Sequence, residues 1–271
     1  NLIVHWQRVG FVHGVMNTDN MSIHGITIDY GPYGWLEDYN PNWTPNTTDA
    51  EGKRYRFGNR ANIALWNLYQ LANALYLLIE EAEPLETILN NFAKKYDEDF
   101  SEMMLKKLGI TSKNEEIDKL IQQLLYNLEQ TETDYTIFFR NLNLINKEDS
   151  VEDCVTKINF SFYKPEEVTG IILETWHFWF AQYLTILKEE NNSDLERKTI
   201  LNSVNPKYVL RNYMAQTAIE LAEKEDYSLI DELYTLLLNP YDEQPEFEKW
   251  FAKRPDWARQ KIGSSMLSCS S

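Results

Sequence analysis

Apolar side chains recur at helical spacing along most of the chain beyond residue 60. Ile117, Leu120, Ile121, Leu124, Leu125 and Leu128 stand at i, i+3, i+4, i+7, i+8 and i+11, so one face of a helix is apolar and the other polar. The same periodicity predicts helices around 61–80, 85–108, 165–190, 206–224 and 228–238. Asn205 followed by Pro206 supplies an N-cap and first-turn signature for the helix over 206–224. Trp176, Phe178, Trp179 and Phe180 form an aromatic run whose simplest role is core. The charged stretches 143–156 and 189–197 are predicted connections, too short and too mixed for a disordered linker. At the other end, Leu2, Val4, Trp6 and Val9 lie partly on one face, which predicts the tail of an amphipathic helix over 1–9 and a chain that begins inside a larger fold.

The pattern changes before residue 60, where Gly, Asn, Asp and Pro dominate. Chemistry is expected there, because loops carry functional groups while the helical part supplies the scaffold. Residues 11–34, FVHGVMNTDNMSIHGITIDYGPYG, run from a polar loop through Ile23, Ile26 and Ile28 to an acidic Asp-Tyr-Gly turn. The expected structure is loop, short β-hairpin, metal turn.

Composition narrows the function classes. The chain has 271 residues, 43% of them apolar, enough for one substantial core. A formal charge of -16 opposes a broad phosphate-tracking surface, so nucleic acid is not an expected partner. No apolar run approaches the ~20 residues of a membrane-spanning helix, and no signal peptide pattern opens the chain, so a protein that is neither membrane-bound nor secreted is expected. The 2 cysteines, Cys154 and Cys269, form neither a disulfide framework nor a CxxC pair, which makes a reducing compartment the default. The 4 histidines lack zinc-ligand spacing, so any metal is expected to be oxygen-bound. Three glycosylation sequons, at Asn42, Asn46 and Asn191, are set aside as chance matches.

Kinase-like phosphotransfer chemistry needs a carboxylate near the nucleophile and an Asn and an Asp on magnesium. Asn20 and Asp29, one at each end of the predicted hairpin, fit the two magnesium ligands, since Mg²⁺ takes few protein oxygens and leaves the rest to water and phosphate. Gly31 is expected to let the chain turn so that the Asp29 carboxylate points into the site, with Tyr30 packing inward as the Phe of the kinase Asp-Phe-Gly motif does. His13-Gly14 resembles the His-Gly-Asp opening of small-molecule phosphotransferases, but Val15 stands where the Asp belongs, and Asp19 is instead placed beside Asn20. His13 is expected to support the loop and not to react. Arg211 and Asn212 are expected to give either buried polar support or an exposed paired face, and no chemistry.

The run His13-Gly-Val-Met-Asn-Thr-Asp-Asn-Met-Ser-Ile followed by Thr27-Ile-Asp-Tyr-Gly-Pro-Tyr-Gly resembles the signature of the selenoprotein O family of protein adenylyltransferases. Gly58-Asn59, Ala64-Leu-Trp-Asn-Leu, Asn205-Pro-Lys-Tyr-Val-Leu-Arg-Asn-Tyr, Tyr241-Asp-Glu-Gln-Pro and Ser268-Cys-Ser-Ser resemble that family in the same order. The resemblance implies an α+β fold, the mostly α-helical C-terminal lobe of a kinase-like fold with a short β-hairpin at the catalytic loop. Residues 1–60 would hold the catalytic loop, metal turn and activation-loop-like segment, and 61–271 the helical remainder. It also implies AMP transfer from ATP to Ser, Thr or Tyr hydroxyls of proteins. In that scheme Asp19 is the proton acceptor, Asn20 and Asp29 bind Mg²⁺ (or Mn²⁺), and Asp29 meets the nucleotide through the metal. The family's glycine-rich loop, phosphate-binding lysine and arginines lie upstream of the matched region in an N-lobe absent here, so the isolated chain is expected to be inactive. Some bacterial relatives bridge the terminal Cys to the activation loop at a position that is Pro45 here. The family setting implies cytoplasm in a bacterium and the mitochondrion in a eukaryote. Ordinary phosphoryl transfer and a non-catalytic helical scaffold are the alternative functions.

Overall fold

The computed structural model describes residues 1–264 and 267–268. It is mostly helical with one small antiparallel sheet. The helices are α1 (Leu2–Val9), α2 (Arg60–Ile79), α3 (Glu83–Leu108), α4 (Glu115–Gln130), α5 (Tyr135–Asn141), α6 (Val151–Ile158), α7 (Gly170–Glu189), α8 (Asp194–Val204), α9 (Asn212–Ala222) and α10 (Ser228–Leu238). The sheet pairs β1 (Phe11–Val12) with β2 (Gly34–Trp35), Phe11 facing Trp35 and Val12 facing Gly34. No helix among the described residues is long and apolar enough to cross a membrane.

The main core lies where α4 and α6 pack on α7, and it extends to the C-terminal end of α3. The α4 stripe is buried as its spacing demands, with Leu125 half-buried at its edge, and Asn114 caps the helix by accepting from the Ile117 N–H at 2.9 Å. On α7, Trp176, Trp179, Phe180 and Tyr183 share the inner face. Phe178, two residues from Trp176 and therefore about 200° round the helix, is 58% exposed and not core. A smaller core joins α9 and α10, and a third gathers Ile3, Trp6, Phe11, Met16, Ile63 and Ala64 beneath the first loop.

Several boundaries differ from the periodicity. Asn205 does not start a helix: it ends α8, and its buried side chain donates to the Lys107 carbonyl at 3.0 Å. Residues 206–211 stay out of a helix because tertiary bonds claim them, the N–H groups of Lys207 and Tyr208 both donating to the Pro240 carbonyl. The helix therefore begins only at Asn212. Pro165–Glu167 is a separate 3₁₀ turn and α7 begins at Gly170. The supposed connections 143–156 and 189–197 contain the starts of α6 and α8. Each opens with a capping box, Ser150 with Asp153 and Ser193 with Glu196, a signal present in the sequence.

One buried charge cluster ties the N-terminal loop region to the helices. Arg211 forms a forked pair with Asp134, at 2.8 and 3.0 Å, and also pairs with Glu37. All three are nearly devoid of solvent exposure. Burial works against the Arg211 cation, but Asp134 and Glu37 outweigh it and hold its pKa well above the ordinary value. Burial raises the Glu37 pKa against the pull of Arg211, so Asp134 is the principal counterion. Asp134 also accepts from the Ile137 N–H at 2.9 Å, capping α5. Arg211 and Asn212 are thus buried supports.

Removing one member strands the others in a dry site. Arg211→Met is expected to cost about 3–5 kcal/mol in urea unfolding, and adding Glu37→Gln, which removes one stranded charge, is expected to restore part of it.

Candidate active site

The loop from His13 to Tyr33 begins where α1 stops. Gly10, at φ 74°, terminates α1, and β1 follows immediately. Arg60 at the head of α2 donates to the carbonyls of Phe11 and Phe57, fixing β1 against α2. Beyond β1, Met16 is fully buried in the third core cluster, and its carbonyl accepts from Asn67 Nδ2 at 2.9 Å. These bonds leave 17–20 at the surface as a 3₁₀ turn, Thr18–Asn20.

His13 is a strut. It is 1% exposed; its Nε2 donates to the Ile28 carbonyl at 2.7 Å, and its Nδ1 accepts from the Val15 N–H at 3.4 Å. The imidazole therefore joins the two limbs of the loop. Gly14 sits at φ 82°, and a Cβ there would meet the Pro32 carbonyl oxygen at 2.1 Å. Asn46 Nδ2 donates to the Gly14 carbonyl at 3.2 Å, so three chain segments meet at this residue.

The expected hairpin is reduced to a single antiparallel bridge, Met21 with Thr27. Ile23 and Ile26 are exposed, so no apolar face drives a longer ladder. The bridge nevertheless brings together the two limbs that carry the predicted site residues. Asn20 lies one residue before it, with Asp19 adjacent, and Asp29 two residues after it. Asn20 Nδ2 donates to the Val15 carbonyl at 3.1 Å, which fixes the amide and leaves Oδ1 as its acceptor end. The carboxylates of Asp19 and Asp29 are exposed, and neither has a side-chain partner among the described residues.

Two expectations about the acidic turn are corrected. The left-handed residue is Asp29 itself, at φ 56°, while Gly31 has no positive φ. Aspartate adopts the left-handed region more readily than most non-glycine residues, because its short polar side chain can bond locally. Tyr30 is 61% exposed and does not pack inward; it meets Tyr33 edge-on at 5.5 Å. Consecutive tight turns, Gly31 N–H to Asp29 O at 2.9 Å and Tyr33 N–H to Gly31 O at 2.8 Å, turn the chain so that Tyr33 and Trp35 take the places against Phe11.

The segment after Asp29 is held from afar. Asn212 Nδ2 donates to the Tyr33 carbonyl at 3.0 Å, a partner the sequence did not reveal. Leu267 pairs with the segment around Asn46, accepting from the Thr47 N–H at 2.8 Å and donating to the Pro45 carbonyl at 3.0 Å. Cys269 lies outside the described residues, and Cys154 is buried and free. A cleft of about 890 Å³ opens beside the loop, bounded by α1, α2, α3, Thr18 and Met21. Asp19, Asn20 and Asp29 do not line it, so it is not the centre of this constellation.

Residues 1–238 match the family described as protein adenylyltransferase SelO. The chain belongs to that family. Among relatives, it is 64% identical over 270 residues to the protein nucleotidyltransferase YdiU of Flavobacterium johnsoniae, covering 100% of this chain and 52% of that protein. It is 49% identical over 270 residues to YdiU of Aromatoleum aromaticum, covering 100% and 51%, and 48% identical over 281 residues to YdiU of Rhodopirellula baltica, covering 100% and 52%. The chain thus spans about half the length of the curated relatives it matches. The family resemblance carried by the loop and by the later motifs is confirmed over this span.

Gly14→Ala combines a left-handed backbone with a backbone clash. It is expected to destabilise the protein by about 2–4 kcal/mol, read as a lowered thermal midpoint, and Val15→Ala by far less.

Proposed function

We propose that the full-length protein transfers AMP from ATP to Ser, Thr or Tyr hydroxyls of other proteins, and that this chain supplies the catalytic loop and metal turn of a kinase-like C-lobe. The observation that carries this reading is the SelO match running through the loop that holds Asp19, Asn20 and Asp29. Residues 1–60 are the loop-bearing part and 61–271 the helical remainder; the other half of the full-length protein supplies the nucleotide-binding groups missing here.

Asp19 acts as the proton acceptor. Its exposed carboxylate, without a side-chain partner among the described residues, is accessible to a protein hydroxyl, and orientation supplies much of the rate. Asn20 presents Oδ1, its nitrogen being engaged by Val15, and Asp29 presents a carboxylate without a side-chain partner among the described residues. Hard oxygen donors of this kind fit Mg²⁺ and accept Mn²⁺. When bound, the metal offsets charge on the pyrophosphate leaving group. Among the described residues no group of three or more His, Cys, Asp or Glu is placed to hold a metal, so these two ligands depend on water and nucleotide phosphates for the remaining positions.

ATP labelled at the α- or γ-phosphate discriminates the functions. The α label is expected on protein with Mg²⁺ present, and Asp19→Ala is expected to lower its incorporation at least ~100-fold while Mg²⁺-dependent ATP binding persists. Incorporation of the γ label alone would establish phosphoryl transfer. Absence of both incorporation and Mg²⁺-dependent ATP binding would establish a scaffold.

A further inference from the structure

In a chain of net charge -16, three cations stand within four residues of the segment that follows the metal turn: Lys53, Arg54 and Arg56. Elsewhere the charged ends of Arg140, Arg197, Arg211, Arg254 and Arg259 are joined to carboxylates. Lys53, Arg54 and Arg56 have no carboxylate partner among the described residues. Arg54 lies over the Trp66 ring, 4.6 Å from its centroid, and Arg56 donates to the Lys53 carbonyl at 3.1 Å.

The loop is rigidly built. The Asp49 carboxylate accepts from the N–H groups of Arg54 and Tyr55 at 2.8 and 2.7 Å, so its charge is engaged in shaping the turn. Tyr55 OH donates to Asn17 Oδ1, which binds the loop to the residue preceding the Thr18–Asn20 turn. The positive cluster is therefore attached to the turn that carries Asp19. Glu51 is the other acidic residue of this loop. Solvent screens exposed charges beyond about 8 Å at physiological salt, so an arriving ligand responds to the local cations more than to the distant acidic excess. A stacked guanidinium keeps its N–H edge available for a carboxylate, and a preformed loop loses little entropy on binding.

We infer that Lys53, Arg54 and Arg56, with Trp66 beneath Arg54, form the docking surface for the acceptor protein and select hydroxyls flanked by acidic residues. This deepens the transfer reading and rests on it for the identity of the ligand as an acceptor. The cluster is a specificity surface: it holds the carboxylates of the acceptor while Asp19 meets the hydroxyl.

The test uses the full-length protein and a fluorescent peptide with serine flanked by glutamates, beside a counterpart flanked by lysines. Anisotropy is expected to show preference for the glutamate peptide and weakening with salt. K53E/R54E is expected to weaken that peptide about tenfold and to favour the lysine peptide. K113E/K119E, on and before α4, makes the same change in net charge and is expected to leave the preference intact. Lys53→Arg with Arg54→Lys keeps both charges and is expected to retain it, which separates charge from folding. In turnover, the K53E/R54E defect is expected in the KM for the acceptor peptide.

Equal weakening by the two charge-reversal variants overturns the inference, as does a wild-type protein without the glutamate preference. A defect confined to the KM for ATP also overturns it and assigns the cations to nucleotide phosphates. Anisotropy requires no transfer, so a failure of AMP transfer with the peptide preference intact refutes the transfer reading and not the acidic-peptide site.

Discussion

The joining of Arg211 to Asp134 and Glu37 is the constraint on which the arrangement of the molecule depends. A guanidinium without water is tolerable only where carboxylates surround it with good geometry, and the forked Asp134 contact provides that geometry. The cluster connects three distant stretches: the chain leaving β2, the cap of α5 and the non-helical segment before α9. Hydrophobic contact has no direction, whereas this cluster fixes one alignment of the three. Asn212, the next residue, then reaches the Tyr33 carbonyl, so the far end of the sequence determines where the strand after Asp29 returns.

The loop from His13 to Tyr33 has almost no regular structure, yet bonds from buried side chains hold several of its carbonyls. His13 links its limbs, Asn67 and Asn46 hold the Met16 and Gly14 carbonyls, and Met16 anchors it in the core. Asp19 and Asp29 are among the residues that this frame leaves exposed, with Asn20 half-buried beside them. A buried frame with unpaired acceptors at its rim is suited to meeting a cation and a hydroxyl from outside. The left-handed Asp29 shows that the frame also imposes a conformation that most residues avoid.

Much of the helical architecture was legible. The α4 stripe, the inner face of α7 and the long helices after residue 60 follow from spacing, because one apolar face must be buried whatever its partner is. The capping boxes before α6 and α8 were also present to be seen. The failures at Asn205-Pro206, Gly31 and Tyr30 have other causes. At Asn205-Pro206 local preference permitted a helix start but contacts from residues far along the chain imposed another choice, whereas at Asp29-Tyr30-Gly31 two successive tight turns took the place of the glycine turn and left the ring outside.

The sequence by itself determined the family, the helical character of the chain and the loop in which Asp19, Asn20 and Asp29 occur. Those properties reside in residue order and in local periodicity. Only the tertiary structure decided which groups the supporting His13 joins, that Arg211 and Asn212 are buried supports and not an exposed paired face, and that Lys53, Arg54 and Arg56 stand beside the Asp19 turn. Each depends on an encounter between segments far apart in sequence, and no local preference encodes which carbonyl, carboxylate or ring a side chain will meet once the core has closed.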